Sequence, residues 1–420
     1  MSITVFGVVF LILAVIAFIK SYRAIAYLFA FSYLFQMTAV IFWGNVGLMP
    51  YLFAPVLLIL KGLTLSRQSD GLIRNLQKIS IVFFLFVVLQ GMVSAVLFEN
   101  NVMHYFSRGM ETAIGIGKIP FRFSTKQIIQ WVYLALNMGA LISLIKHSHY
   151  LPVYFSKNVV LVSSVGILGL GVWKYVADNF GGWFPYSFLL NNESFFSGNL
   201  LQGLFSRFRF TSIFAEASVC GLFLAVFWWN VFFINLKCRR TILCAIAFCL
   251  LLSMASTGFF CMVFGFVLWF ILNRNIKRLI FFMIGIAFLF GIVYTLGFDE
   301  MLYEMTVNKM ESGSADARST IMLAGLALFR DTFGFGLGLG SSTGAGLATT
   351  LLGELGIVGT FLFFVWLKTV FKYIKRAPFV GGGLCMIVVL FGMCISVGYL
   401  SYPIFWLELT IVACSVNNGR

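Results

Sequence analysis

Charge is scarce in this chain of 420 residues: Asp, Glu, Lys and Arg together supply 10 % of it, against 61 % for hydrophobic residues. With a mean hydropathy of +0.99, that scarcity excludes a soluble globular domain and marks a polytopic membrane protein. Acid is scarcer than base, 14 residues against 29. In a soluble chain the net charge of +15 would point to nucleic acid. Here most Lys and Arg sit in short connectors between apolar runs, the distribution of loops on the cytoplasmic side of a membrane, and no nucleic-acid partner is implied. Cysteine occurs eight times but never at metal-ligand spacing, so neither a zinc site nor a disulfide framework follows. The acids Asp299, Glu300, Glu304 and Asp316 are scattered, with no Asp-x-Asp pair, which leaves no obvious metal site. The sequence holds no internal repeat, low-complexity tail or soluble domain, and residues 1–420 read as one transmembrane domain.

What is present is a succession of apolar runs close to the ~20 residues that cross a bilayer as a helix. They lie at 3–19, 24–43, 46–60, 79–98, 127–145, 158–177, 214–235, 241–256, 257–272, 279–296, 347–367, 380–397 and 403–415. The expectation is an all-α bundle of about 12–14 transmembrane helices. Residues 3–19 lack a cleavable-signal pattern and read as a retained first span. If the runs alternate, the basic connectors around Lys20, Lys61, Lys146, Arg239, Lys277 and Lys372 share one face, the cytoplasm. Three long loops, 99–126, 178–213 and 297–346, then fall on the opposite face.

Those outer loops carry cations of their own: Arg108, Lys118, Arg122 and Lys126, then Arg207 and Arg209, then Lys309, Arg318 and Arg330. Either they are ordinary loop charges with nearby acids, or they build a basic cavity for an anion. Guanidinium groups match the oxygens of a lipid-borne phosphate or pyrophosphate. Aromatic residues crowd the second loop, among them Phe180, Trp183, Phe184, Tyr186 and Phe188. They serve an interfacial belt or stack on sugars.

Two strings hold the candidate chemistry. In Arg207-Phe-Arg209-Phe-Thr-Ser-Ile-Phe-Ala-Glu216-Ala-Ser218, Arg209 and Glu216 stand near two helical turns apart. Glu216 is a functional carboxylate or a helix cap favoured by the dipole. From 314 to 359, Arg318 heads an apolar helical segment, Gly334, Gly336, Gly338 and Gly340 recur at every second position, and Glu354 is the single carboxylate of the following span. The glycines read as a tight turn, with close approach to a phosphate as the alternative. Glu354 is a buried acceptor of hydrogen bonds or a cavity-facing general base, and Glu408 has the same two readings. Ser256-Thr257-Gly258 reads as a turn between two spans.

The Arg-x-x-Ser-x-x-x-Glu-x-Ser string, the Arg-headed helix running into FGFGLGLG and the span beginning LLGELGIVG resemble the O-antigen polymerase and ligase superfamily over roughly residues 205–360. One departure is Ala217, where the family string commonly has Pro. The resemblance implies a GT-C-like glycosyltransferase of the bacterial inner membrane, working at the periplasmic face on undecaprenyl-pyrophosphate-linked oligosaccharides as donor and acceptor. It implies no cofactor and a chain-length regulator as a protein partner. Ligases carry a histidine just after the glycine-rich turn. Here 341–346 has none, and the three histidines are His104, His147 and His149, so a Wzy-type polymerase fits better than a ligase.

Without the family, the chemistry asks for cations that neutralise a departing pyrophosphate and a carboxylate that positions an acceptor hydroxyl. Arg209 and Arg318 are assigned to the pyrophosphate with Arg122 and Arg330 behind them, and Glu354 and Glu216 to catalysis. A flippase or transporter for the same anionic lipid is the alternative of another class.

Overall fold

The computed structural model describes residues 1–44, 46–65, 71–104, 119–192, 208–273, 277, 280, 284, 313–342, 346–374, 381–396 and 398–415. It is 75 % helical, which agrees with an all-α membrane protein apart from two small β-sheets among the described residues. Four helices are long and apolar enough to cross a membrane: α4 (Gly71–Phe98), α5 (Thr125–Lys146), α6 (Phe155–Phe180) and the segment Leu347–Tyr373. That last segment is built from α12 (Leu347–Thr350), a π turn (Leu351–Leu355) and α13 (Gly356–Ile374). Shorter apolar helices are α1 (Val5–Lys20), α3 (Pro50–Leu63), α8 (Ala217–Phe233), α10 (Ser256–Leu272), α14 (Gly382–Ile395) and α15 (Pro403–Cys414). Completing the helices are α2 (Tyr22–Ser32), α7 (Tyr186–Leu189), α9 (Arg239–Ser253) and α11 (Gly313–Asp331).

Lipid-facing surface is plain on α1 and α4, where Ile12, Leu13, Ile16, Leu85, Leu89 and Val96 are exposed. Such a band of large apolar side chains is stable only against an apolar medium. The centre is α15, in which every residue is buried. It packs against α2, α5, α6, α13 and α14. The connector bases stand at the ends of α1, α3, α5 and α13 and near the starts of α2, α4, α6 and α9.

Hydropathy misplaced several boundaries, each for a physical reason. The run 24–43 does not continue as a helix: α2 stops at Ser32, and β2 (Ile41–Trp43) pairs with β1 (Ser2–Ile3) and with β3 (Val46–Leu48). The backbone between finds partners outside a helix, with Ala39 N–H donating to Asn191 Oδ1 at 2.6 Å and Val40 N–H to Leu48 O at 2.8 Å. Gly44, at φ +59°, turns the hairpin. The next helix opens at Pro50, where a missing N–H costs nothing. Between α9 and α10 the turn is at Met254, φ +47°, while Ser256–Gly258 already form the first turn of α10. Residues 279, 281–283 and 285–296 of the run 279–296 lie outside the described residues.

Candidate active site at the glycine-rich turn

The end of α11 sets up the turn. Thr332 Oγ1 donates back to Leu328 O at 2.7 Å and accepts from Gly336 N–H at 3.0 Å, stopping the helix. From there Gly334, Gly336, Gly338 and Gly340 all have φ between +78° and +95°, a region open to glycine. The residues between them do not share it, so the backbone alternates in hand, and the N–H groups of Gly338, Gly340 and Ser342 all turn toward Glu354. Gly338 N–H donates to Glu354 O at 2.8 Å, Gly340 N–H to Glu354 Oε2 at 3.0 Å, and Ser342 N–H and Oγ to Glu354 Oε1, both at 3.1 Å. The turn is an anion cradle, and the anion in it is the protein's own Glu354, 2 % exposed. Glu354 thus has the geometry of the hydrogen-bond acceptor rather than of a carboxylate open to a cavity, and the Gly338 and Gly340 N–H groups are engaged by it while those of Gly334 and Gly336 bond Phe329 O and Thr332 Oγ1, rather than being aimed at a phosphate.

The carbonyl side is held from α4 and α5. Gln90 Nε2 donates to Phe335 O at 3.0 Å and Glu354 O at 2.9 Å, Ser94 Oγ to Gly336 O at 2.9 Å, and Gln127 Nε2 to Leu337 O at 3.3 Å. Close approach requires glycine here too: a Cβ on Gly338 would lie 2.9 Å from Gly91 Cα. The start of α5 is fixed by a capping box between Ser124 and Gln127, and this presents Lys126 to the turn. Lys126 Nζ donates to Ser342 O at 3.3 Å, and its charge interacts with that of Glu354.

A second cation-forming group arrives from an unexpected place. β4 (Met103–His104) pairs with β5 (Ile119–Pro120), and this ladder carries buried His104 to the turn, where its ring bonds the backbone carbonyl of Ser341. Burial holds the His104 pKa below the ordinary histidine value, opposed by the Ser341 bond and reinforced by the nearby Lys126 charge. The imidazole is therefore neutral in the folded protein at neutral pH. Since the unfolded chain binds this proton more readily, stability is full above about pH 6.5 and declines as pH falls below it, toward the lower folded value. The melting temperature of the wild type should drop across that window and that of His104→Gln should drop less. Equal declines would remove His104 as the cause.

The other predicted residues divide. Arg209 donates through Nε to Ser253 O at 3.0 Å and through Nη2 to Met254 O at 2.7 Å, so it braces the strained α9–α10 turn. Glu216 is the N-cap residue of α8, yet its carboxylate makes no capping bond and instead accepts from Ser218 Oγ at 2.9 Å. Its charge reaches Tyr402, whose buried hydroxyl has no hydrogen-bond partner among the described residues. Tyr402 follows Ser401, which bonds Gln130 Oε1 at 2.7 Å, and Gln130 packs against Gly340. Contacts run from Ser401 through Gln130 to the glycine-rich turn, and Glu216 joins this series only through its charge at Tyr402. Arg122 is exposed and donates to Asn100 Oδ1 at 3.3 Å; Arg330 is exposed and pairs with Asp331 at 3.0 Å. Arg318 lies in α11, but its side chain is outside the described residues.

Lys126 and His104 are the site residues that the sequence analysis left unassigned. For Lys126 the available signal was its place inside the Ser124-Thr-Lys-Gln127 cap. For His104 there was none, because only the β4–β5 ladder brings it near residue 341. No protein-family model and no curated protein sequence matches this chain.

Proposed function

We propose that the chain is a glycosyltransferase that polymerises undecaprenyl-pyrophosphate-linked repeat units at the periplasmic face of the bacterial inner membrane, in the manner of a Wzy-type polymerase with a GT-C-like fold. The observation that carries the reading is Lys126, with the neutral imidazole of His104 beside it, at a turn whose own carboxylate, Glu354, already accepts three hydrogen bonds. A turn built that way can present positive charge without collapsing onto its acid. Lys126, with Arg318, would face the donor pyrophosphate. Glu216, half-buried and not spent on capping, would receive the proton of the acceptor hydroxyl. The bond formed joins the acceptor oxygen to the anomeric carbon, the bond broken joins that carbon to the phosphate oxygen, and the lipid pyrophosphate leaves with the electron pair.

A ligase is the second reading, and one observation favours it: His104 stands at Ser341, beside the place where the ligase histidine is expected. The test is purified protein in liposomes with the lipid-pyrophosphate repeat unit, chelator and no nucleotide sugar. Polymerisation gives a ladder on a gel, reduced on the order of a hundredfold or more in Arg318→Ala. Transfer only after lipid A core is added selects the ligase, and lipid scrambling without transfer selects a flippase.

A further inference from the structure

Deep in the bundle, away from the turn, a buried carboxyl group has an unusual hydrogen-bond account. Glu408 of α15 is 0 % exposed, as is Asn230 of α8. Asn230 Nδ2 donates to Glu408 Oε2 at 2.7 Å and to Val226 O at 3.1 Å, which uses both of its hydrogens. Two atoms are left over, Glu408 Oε1 and Asn230 Oδ1. Both are sealed from solvent and neither has a partner among the described residues. Both are also acceptors when the acid is ionised.

Among the described residues Glu408 forms no ion pair, and the titratable group recorded as interacting with it is the buried thiol of Cys385 on α14. A water bridge needs a polar space of its own volume, and neither oxygen exposes appreciable surface to one. One species small enough to satisfy both remains, a proton. On Oε1 it turns one orphaned acceptor into a donor for the other.

We infer that Glu408 is carried as the neutral acid and closes a two-bond carboxyl–amide ring with Asn230, a neutral lock between α8 and α15. The lock has a positional consequence. α8 begins immediately after Glu216 and α15 immediately after Tyr402, so it ties together the two helices that follow that carboxylate and that phenol, whose hydroxyl feels the Glu216 charge. The inference concerns protonation and helix pairing, and does not rest on the glycosyl-transfer reading.

Infrared spectroscopy of the full-length protein in lipid tests it. The wild-type minus Glu408→Gln difference spectrum should contain the carbonyl stretch of a protonated acid and lack carboxylate bands. An amide at 408 can form the same two bonds, so Glu408→Gln should keep the wild-type melting temperature. Asn230→Leu, which strands the acid, should lower it, and adding Glu408→Leu to Asn230→Leu should recover much of the loss. If Glu408→Gln does not assemble, the double leucine variant supplies the reference spectrum. Carboxylate bands in place of the acid carbonyl would overturn the inference, as would a Glu408→Gln protein that melts as low as Asn230→Leu.

Discussion

Replacing Glu354 with alanine is expected to abolish glycan transfer and to destabilise the protein by about 3–5 kcal/mol. Removing this side chain strands three buried donors at once: the Gly340 N–H, the Ser342 N–H and the Ser342 hydroxyl. It also leaves Lys126 without the acid with which its charge interacts. The N–H groups of Gly340 and Ser342 would then point into an empty cradle. Glu354→Gln separates the two roles. It keeps one acceptor oxygen but turns an amide N–H₂ toward a backbone N–H, so it should fold better than Glu354→Ala while the turn stays distorted. Melting temperature and transfer measured together on both variants check this. A general base would behave differently, with Glu354→Gln folded as the wild type and wholly inactive.

Gly356→Ala and Gly336→Ala should each lose about 2–5 kcal/mol. Gly356 has φ +64° with ψ −166°, a conformation essentially confined to glycine. A Cβ there would lie 2.3 Å from both Gly334 O and Phe335 O. Gly336 has φ +83°, and its Cβ would meet Glu354 O at 2.5 Å. In both cases the obstacle is backbone, which cannot rotate aside as a side chain can. Gly383 provides the control: it is helical with nothing within 4 Å of an added Cβ, and Gly383→Ala should gain about 0.5–1 kcal/mol from helix propensity. Thermal unfolding of the three variants in one detergent would decide. Wild-type stability in Gly356→Ala would contradict the turn geometry.

The turn shows what was legible in the sequence. Glycine at every second position announced a backbone with positive φ, and a lone Glu in an apolar span announced either a saturated or a functional carboxylate. Their union was not legible, because it depends on a π turn that brings residue 354 under residues 338–342. His104 lies further beyond reach: its position is set by a two-residue ladder that hydropathy cannot register. Arg209 carried the right charge in the right loop, but the chain gives no sign that its guanidinium would be drawn to the carbonyls of Ser253 and Met254. Most helices were legible because ~20-residue apolar runs have few other fates in lipid. The β1–β3 sheet was not, since its strands are as apolar as the helices around them and differ only in where their backbone groups find partners.

The most direct test of the account is the affinity of undecaprenyl pyrophosphate for the wild type and for Lys126→Met in nanodiscs, read by ligand-dependent change in melting temperature. Undecaprenyl monophosphate serves as the weaker-binding comparison. If the turn presents Lys126 to the donor pyrophosphate, the variant should bind the pyrophosphate lipid at least about tenfold more weakly, a loss of ~1.4 kcal/mol, each protein's shift being taken from its own unliganded melting temperature. Equal binding by both proteins would contradict the placement of the anion site at this turn.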